Sequence, residues 1–328
     1  MEKLASSFGG PKRTWGLLLW ATAGLASYAC GQAEEPPDDD GLGGSGGGIV
    51  VAPPSGGSGG TGGSGGSGGA TVVLPPFESC SLPDQGTLPS AGSSLMADDF
   101  DDGDELLLGN GLHGNWYDYD DDTGGTLAPS WDDEGGWLPA LGGIEPGGYA
   151  LHTVGGGFAE WGSGQGISPI WDEGKSQECL FDVSQFDGMS FWIKGAVEDS
   201  TGAAVAQDRG VIKVGFLEAD IIPVELGGRC SGEMGDCYDW HKVRISPTEC
   251  WQHLSFTWDQ FEQDGWGMDG GDFDLDEMVN VNFEIAQGNT FDYWLDEVEF
   301  FSGDPPELEE ICDDGAGGGG GAGGAGGP

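Results

Sequence analysis

The sequence predicts an all-β fold, a sandwich or barrel of short strands, and three observations carry that expectation. From Ser94 onward, short apolar-alternating runs are separated by Gly, Asp, Asn and Pro, the texture of many strands joined by frequent turns. No long stretch keeps the 3.6-residue apolar period of a helix; residues 260–264 and 275–278 are at best single turns. Most of the 13 Trp and 15 Phe fall in this region, enough for one β domain of roughly 210–230 residues with a sizeable core. Strands are expected at 149–153, 158–161, 189–194, 211–218, 242–245, 252–258, 279–285 and 291–301. In the last of these Phe291, Tyr293 and Leu295 alternate before Val298 and Phe300.

The flanks are of another kind. Residues 41–70 and 314–328 are mostly Gly, Ser, Thr and Ala and account for much of the 67 Gly. Such segments cannot bury enough apolar surface to offset the entropy of ordering them. Lys3, Lys12 and Arg13 precede an apolar run over 15–29, the length of a signal-peptide h-region and too short for a comfortable membrane span. It ends in Ala26-Ser27-Tyr28-Ala29-Cys30-Gly31, which resembles a bacterial lipobox with Ser27 where Leu is usual. The expected organisation is a signal peptide at 1–29, a lipidated Cys30 with a Gly/Ser-rich linker to residue 76, a β domain at 77–312 and a glycine-rich tail at 313–328; plain secretion is the alternative to lipidation. About 45 residues of such linker span on the order of 35–40 Å, a spacer that lifts the domain from a membrane.

A net charge of -47 with only 10 Lys and Arg excludes nucleic acid, whose phosphates need clustered cations, and disfavours docking on anionic lipid. It suits a soluble exported protein and hard cations such as calcium. With Cys30 given to lipid, six of the seven Cys remain: Cys80, Cys179, Cys230, Cys237, Cys250 and Cys312, an even set for an oxidising compartment. Spacing alone does not determine the pairing. Cys230 with Cys237 would close a local loop, Cys80 with Cys312 would staple the domain ends, and Cys179 would then be left with Cys250.

The domain opens with MADDFDDGDELLLGNGLHGNWYDYDDD, continues through GGGFAEWGSGQGI, FDGMSFWIKG, WQHLSFTWDQFEQDGWG and FDLDEMVNVNFEIA, and ends in FDYWLDEVEF. Over residues 94–303 this order resembles the jelly-roll domains of galactose-binding-like fold, nearest to family 11 carbohydrate-binding modules, and a group of lipobox-bearing surface proteins of Gram-negative bacteria that carry such a domain alone. Gly227-Gly228-Arg229-Cys230 and Cys237-Tyr238-Asp239 match a stretch common in the latter. The resemblance implies a two-sheet antiparallel β-sandwich, a structural calcium and, more weakly, polysaccharide binding.

Residues 98–104 supply five carboxylates and a glycine for a tight bend, and calcium takes six to eight oxygens. Related modules place the acid after the first-strand Phe and the first acid of the last-strand pair around calcium, which implies Asp101 with Asp296. Asp99 shares a face with Asp101 if extended, and Asp104 lies at the adjoining turn. A second acidic run at 118–124 departs from a calcium loop, because Thr123 stands where Gly is needed and no Glu closes it; a solvated loop is expected there.

Sugars are held by aromatic faces with carboxylate and amide groups on their hydroxyls. Candidate platforms are Trp116, Tyr117, Tyr119, Trp131, Trp137, Trp161, Trp240 and Trp266. The expected ligand cluster is Tyr117, Asp118, Trp131, Trp137, Asp239, Trp240 and Gln263, the two loop tryptophans because a Gly/Asp/Pro-rich segment has less claim on the core. Catalysis is not expected. There is no G-x-S-x-G or H-E-x-x-H motif, the four His show no metal-pair spacing, and Trp294 and Val298 fall where a laminarinase-type strand needs acids. The alternative to glycan binding is a structural or adhesive surface protein that uses the sandwich for protein contacts.

Overall fold

A computed structural model describes residues 75–312, apart from 81–86, 131–136, 173–174, 176, 203, 233–235 and 269–270. The expected signal peptide, Cys30, most of the linker, Trp131 and the tail lie outside the described residues. The first strands are β1 (Leu95–Asp98), β2 (Leu106–Gly109), β3 (Leu112–Asp120), β4 (Thr126–Ala128) and β5 (Ala140–Leu141). Next come β6 (Tyr149–Gly156), β7 (Gly162–Ser168), β8 (Trp171–Asp172), β9 (Gln177–Glu178) and β10 (Gly188–Asp199). The chain closes with β11 (Ile212–Glu218), β12 (His241–Ile245), β13 (Trp251–Thr257), β14 (Met278–Ala286), β15 (Asn289–Phe301) and β16 (Glu309–Ile311).

These strands form a two-sheet antiparallel jelly roll. One sheet has the order β16-β13-β10-β15-β6-β4, with β1 also on β15 and β5 also on β6; the other runs β12-β11-β14-β7-β3-β2. Most sheet neighbours are distant in sequence, as expected of a Greek-key sandwich. Period-2 alternation decides which side chains fill the interior. Trp116, Ile167, Val214, Phe216, Val281 and Phe283 of one sheet pack with Leu151, Met189, Phe191, Ile193, Tyr293 and Leu295 of the other. The two tryptophans that are wholly enclosed in the core find acceptors for their indole N–H groups: Trp116 donates to Asp98 Oδ2 at 2.6 Å and Trp137 to Gln165 Oε1 at 2.8 Å.

Strand β15 carries an irregularity. Its inward residues are Phe291, Tyr293 and Leu295, then Val298 and Phe300, so the parity changes between 295 and 298. The cause is a bulge at Glu297, whose φ is 45°, where Glu297 and Val298 stand against the single β10 residue Phe191; the slip against β1 lies on β1 itself, at Ala97. A bulge inserts one residue and re-aims its neighbours; here it turns Asp296 and Glu297 toward the loop after β5.

Two expectations are corrected. Residues 158–161 are not a strand; the strand is the Gly/Ser-rich β7 that comes next in the chain. Cys230 pairs with Cys237, but the other bridges are Cys80–Cys179 and Cys250–Cys312. Strand order explains both: Ser79 bridges to Leu180, and β16 lies against β13 with Ile311 opposite Trp251. Three disulfides belong to an oxidising compartment. Among the described residues no helix is long and apolar enough to cross a membrane.

Candidate functional site

With Trp116, Ile167, Phe283 and Phe216 facing the core, the residues between them face outward from the six-stranded sheet. Pairing sets them in cross-strand rows. One row runs Tyr117, Gly166, Asn282, Gly215, Lys242; the next runs Tyr119, Gly164, Glu284, Lys213, Arg244. The β7 glycines make room for aromatic rings. A Cβ on Gly166 would meet Tyr117 Cζ at 2.4 Å, and one on Gly164 would meet the Tyr119 hydroxyl at 2.6 Å. The two tyrosines thus lie across the sheet, Tyr119 stacks on Trp161 with centroids 5.9 Å apart, and the three rings form a file.

A polar relay crosses the same face. The Tyr117 hydroxyl donates to Asn282 Oδ1 at 2.8 Å, Asn282 donates to Asn280 at 3.1 Å and Asn280 to Glu178 at 3.2 Å. Ser168 also donates to Glu178. Burial pushes the Glu178 carboxyl up, against the bonds from Ser168 and Asn280. Burial, with Glu178 beside Tyr117 and Glu284 beside Tyr119, raises both phenols well above their ordinary value, so they remain donors. Burial alone would pull the Lys213 ammonium down, but its pairing with Glu284, with Asp208 nearby, more than reverses this. In the row of Tyr119, Gly164 and Glu284, the Tyr119 hydroxyl and Glu284 Oε2 are buried with no hydrogen-bond partner among the described residues. They flank Gly164 from the strands on either side.

Of the expected ligand cluster, Tyr117 is the only described residue that takes part in this file and relay. Asp118 points to the other side of β3, where its Oδ2 accepts from Ser130. Trp137 is fully buried and stacks on Trp116 at 5.8 Å. Trp240 is 2% exposed and Asp239 1% exposed, and Gln263 donates to the Asp239 carbonyl at 2.6 Å. Trp137, Trp240 and Asp239 are therefore corrected to interior positions. Their loops fold back over the sandwich, because an indole N–H or carboxylate with buried donors and acceptors in reach gains more inside than in water. The residues missed are Asn280, Asn282, Glu284, Lys213 and Glu178. A signal for three of them is in the sequence: Asn280-Val281-Asn282-Phe283-Glu284 alternates polar and apolar without a break.

The acidic run at 118–124 is the expected solvated loop only in part, at the exposed Asp122, Thr123 and Gly124. Asp118 and Asp120 lie within β3, and Asp121 is buried. Asp121 Oδ2 accepts the N–H groups of Glu160, Trp161 and Gly162 at 2.8–3.1 Å, and Oδ1 accepts from Thr123. Burial works against its charge, but the Thr123 and backbone donors outweigh it and hold the carboxyl below its ordinary value. A depressed carboxylate contributes stability above its unfolded value of 3.8 that is lost as pH falls through the folded value. Asp121→Asn is thus expected to cost about 1–3 kcal/mol near neutrality. In urea melts the gap from wild type should narrow as pH drops below about 3; a pH-independent gap would contradict a charge-based role for Asp121.

The acids expected to hold calcium separate into two groups. Asp104 accepts Leu106 N–H at 2.9 Å and serves its own turn. Asp101 and Asp296 instead meet the 142–149 loop: Asp101 Oδ1 accepts Tyr149 N–H at 3.0 Å and Asp296 Oδ2 accepts Ile144 N–H at 2.7 Å. A Cβ on Gly143 would reach Asp296 Oδ2 at 2.8 Å, and one on Gly148 would reach Asp101 Oδ1 at 2.9 Å. Burial raises Asp296 to about 7, and the charges of Glu297 and Asp101 add to this against the Ile144 and Glu297 amides. Burial also raises Glu297, beside Glu145, Asp99 and Asp101. Among the described residues none of these acids has a Lys, Arg or His ion pair. An oxygen-only, uncompensated donor set fits a hard divalent cation. No three side-chain donors of this cluster come within 4.8 Å of one another among the described residues.

No family model and no curated protein matches the sequence. Among solved structures, the chain is similar to a family 11 carbohydrate-binding module from Clostridium thermocellum in complex with a β-1,3-1,4-mixed-linked tetrasaccharide. Identity is 17%, TM-score 0.41, with 65% of this chain and 98% of that chain covered. It is also similar to the family 11 module of a cellulosomal cellulase from the same organism, at 15% identity and TM-score 0.39, covering 65% of this chain and 97% of that one. A family 30 carbohydrate-binding module of another cellulosomal cellulase of Clostridium thermocellum matches at 13% identity and TM-score 0.38, covering 64% and 98%. At these identities the likeness is one of fold.

Proposed function

We propose that the domain is a non-catalytic polysaccharide-binding module whose ligand lies along the outer face of the six-stranded sheet. The observation that carries this reading is the pair of buried, unpartnered atoms beside Gly164, the Tyr119 hydroxyl and Glu284 Oε2. One is a donor and the other an acceptor, and an unmade buried hydrogen bond costs about 1–3 kcal/mol. A sugar hydroxyl can both accept from the phenol and donate to the carboxylate. Tyr119 is itself buried under Ile221, Tyr238 and Trp240, and the half-buried rings of Tyr117 and Trp161 on either side of it supply the apolar surface for the C–H face of a pyranose chain. A binding role asks for no nucleophile or general base, and the paired Lys213 and Glu284 serve as recognition groups.

Tyr119→Phe tests this directly. Removing a hydroxyl that has no hydrogen-bond partner among the described residues is expected to leave thermal stability unchanged or raise it by up to about 1 kcal/mol. The same change is expected to weaken binding to a responsive soluble β-glucan about five- to tenfold by calorimetry. No binding to any polysaccharide in a broad panel would overturn the reading.

In the same proposal, calcium is held between Asp101 and Asp296, with Asp99 and Glu297 adding negative charge, and stiffens the junction of β15 with the 142–149 loop. Its role is structural. The chain is further proposed to be exported and anchored through lipid on Cys30, with the glycine-rich linker as spacer. Cys30→Ser is expected to move the protein from the membrane to the soluble fraction; an unchanged distribution would count against the anchor.

A further inference from the structure

On the core side of the six-stranded sheet, at edge strand β12, a cleft of about 460 Å³ opens between His241, the turn after β13 and residues 271–275. Trp258, Phe261 and Phe273 line it. All three pack on core Phe216, with ring centroids 5.1, 4.7 and 5.1 Å away. The rim carries Asp259, Glu262 and Asp272, all exposed, and none has a Lys, Arg or His ion pair among the described residues.

His241 is the basic group among the lining residues, and its ring is turned inward. It is 5% exposed, with Nδ1 3.0 Å from Glu218 Oε1 and Nε2 3.2 Å from the Gly271 carbonyl. Nε2 thus has the Gly271 carbonyl, while Nδ1 is buried against Glu218 Oε1 without a hydrogen bond among the described residues. Glu218 is itself buried, and its Oε2 accepts Asp274 N–H at 2.7 Å. The Gln263 amide donates to the Asp239 carbonyl. The cleft thus offers aromatic surface and carboxylates, while His241 Nε2 and the Gln263 amide are engaged elsewhere and His241 Nδ1 is buried against Glu218. A neutral sugar needs donors as well as acceptors. A cation with an apolar collar needs only aromatic rings, whose faces are negative, and carboxylates at the edge.

We propose that this cleft binds an organic cation, a protonated or quaternary amine, independently of the glycan face. Choline and its neutral isostere 3,3-dimethyl-1-butanol are the probes, titrated into the full chain at fixed ionic strength and followed at the Trp258 indole N–H resonance. Choline is expected to shift that resonance saturably and to bind at least about tenfold more tightly than the neutral alcohol. The exposed double variant Asp259→Asn/Asp272→Asn is expected to lose about tenfold in choline affinity while its unfolding midpoint stays close to wild type. A trimethyl-lysine peptide that binds more tightly than choline would assign the amine to a protein side chain, and the reverse order to a free small molecule. Absence of a shift, equal binding of the isostere, or unchanged choline affinity in the double variant would overturn the proposal. So would cellobiose shifting the Trp258 resonance in preference to choline. None of these results depends on whether the opposite face binds polysaccharide.

Discussion

Asp239→Ala is expected to destabilise the domain by about 3–5 kcal/mol, because it leaves one buried ionic network incomplete and one loop without its anchor. The Asp239 carboxylate accepts four consecutive backbone N–H groups, from Asp264, Gly265, Trp266 and Gly267, at 2.6–3.2 Å. On its other side it lies 3.1 Å from the buried ammonium of Lys242. Lys242 also meets Asp264, which is shared with Arg244, and Arg244 reaches Asp208. With Asp239 gone, Lys242 keeps one carboxylate in place of two and the 264–267 amides lose their common acceptor. At about 2–4 °C per kcal/mol for a domain of this size, the unfolding midpoint should fall by roughly 6–20 °C. Limited proteolysis should then open the chain within residues 263–268. Pairing the change with Lys242→Met should cost less than the sum of the single variants, since no unpaired buried charge remains. Strict additivity would mean that the network does not act as a unit.

Asp239 also marks where sequence reading stops. Period-2 alternation located β6, β10, β11, β12, β13, β14 and β15 to within a few residues, because in those strands one face is apolar and buried. Strand β7 escaped it, since Gly162-Ser163-Gly164-Gln165-Gly166 offers almost no side chain to alternate. Its glycines exist for the tyrosines of β3, a requirement visible only once the two strands are adjacent. Strand β3 was hidden in turn by its aspartates. The pairing of Asp101 with Asp296 came from resemblance, and the geometry that brings them to one loop is a register slip at Glu297 that apolar periodicity does not encode. Loop composition misled most at Trp137 and Asp239. A glycine-rich or acidic segment says that the backbone can turn, not which side chains it carries inward. Disulfide partners other than Cys230 and Cys237 are set by strand order, which no spacing rule supplies.

Calcium is expected to raise the stability of the domain, and chelation to lower it, by about 2.7 kcal/mol when the free ion stands a hundredfold above its dissociation constant. The carboxylates near the β15 bulge give this prediction an internal control of opposite sign. Asp296 is crowded by burial and by the charges of Glu297 and Asp101, which raise it to about 7 from 3.8. A raised acid contributes stability that is complete below the unfolded value and is lost as pH rises through the folded one. The chelated domain should therefore be more stable at pH 5 than at pH 8, to the extent that this group dominates. At pH 8 in chelator, Asp296→Asn should melt above wild type: one of two backbone hydrogen bonds is given up, from Ile144 or Glu297, but a crowded anion is removed. The same variant in calcium should show little or no gain, because the ion loses a charged ligand. Asp104→Asn should respond to calcium like wild type, since Asp104 accepts Leu106 N–H within its own turn. A wild-type melting temperature unmoved by chelator would mean that calcium plays no part at this junction. The loop contacts of Asp101 and Asp296 would then stand as ordinary hydrogen bonds to a crowded carboxylate pair.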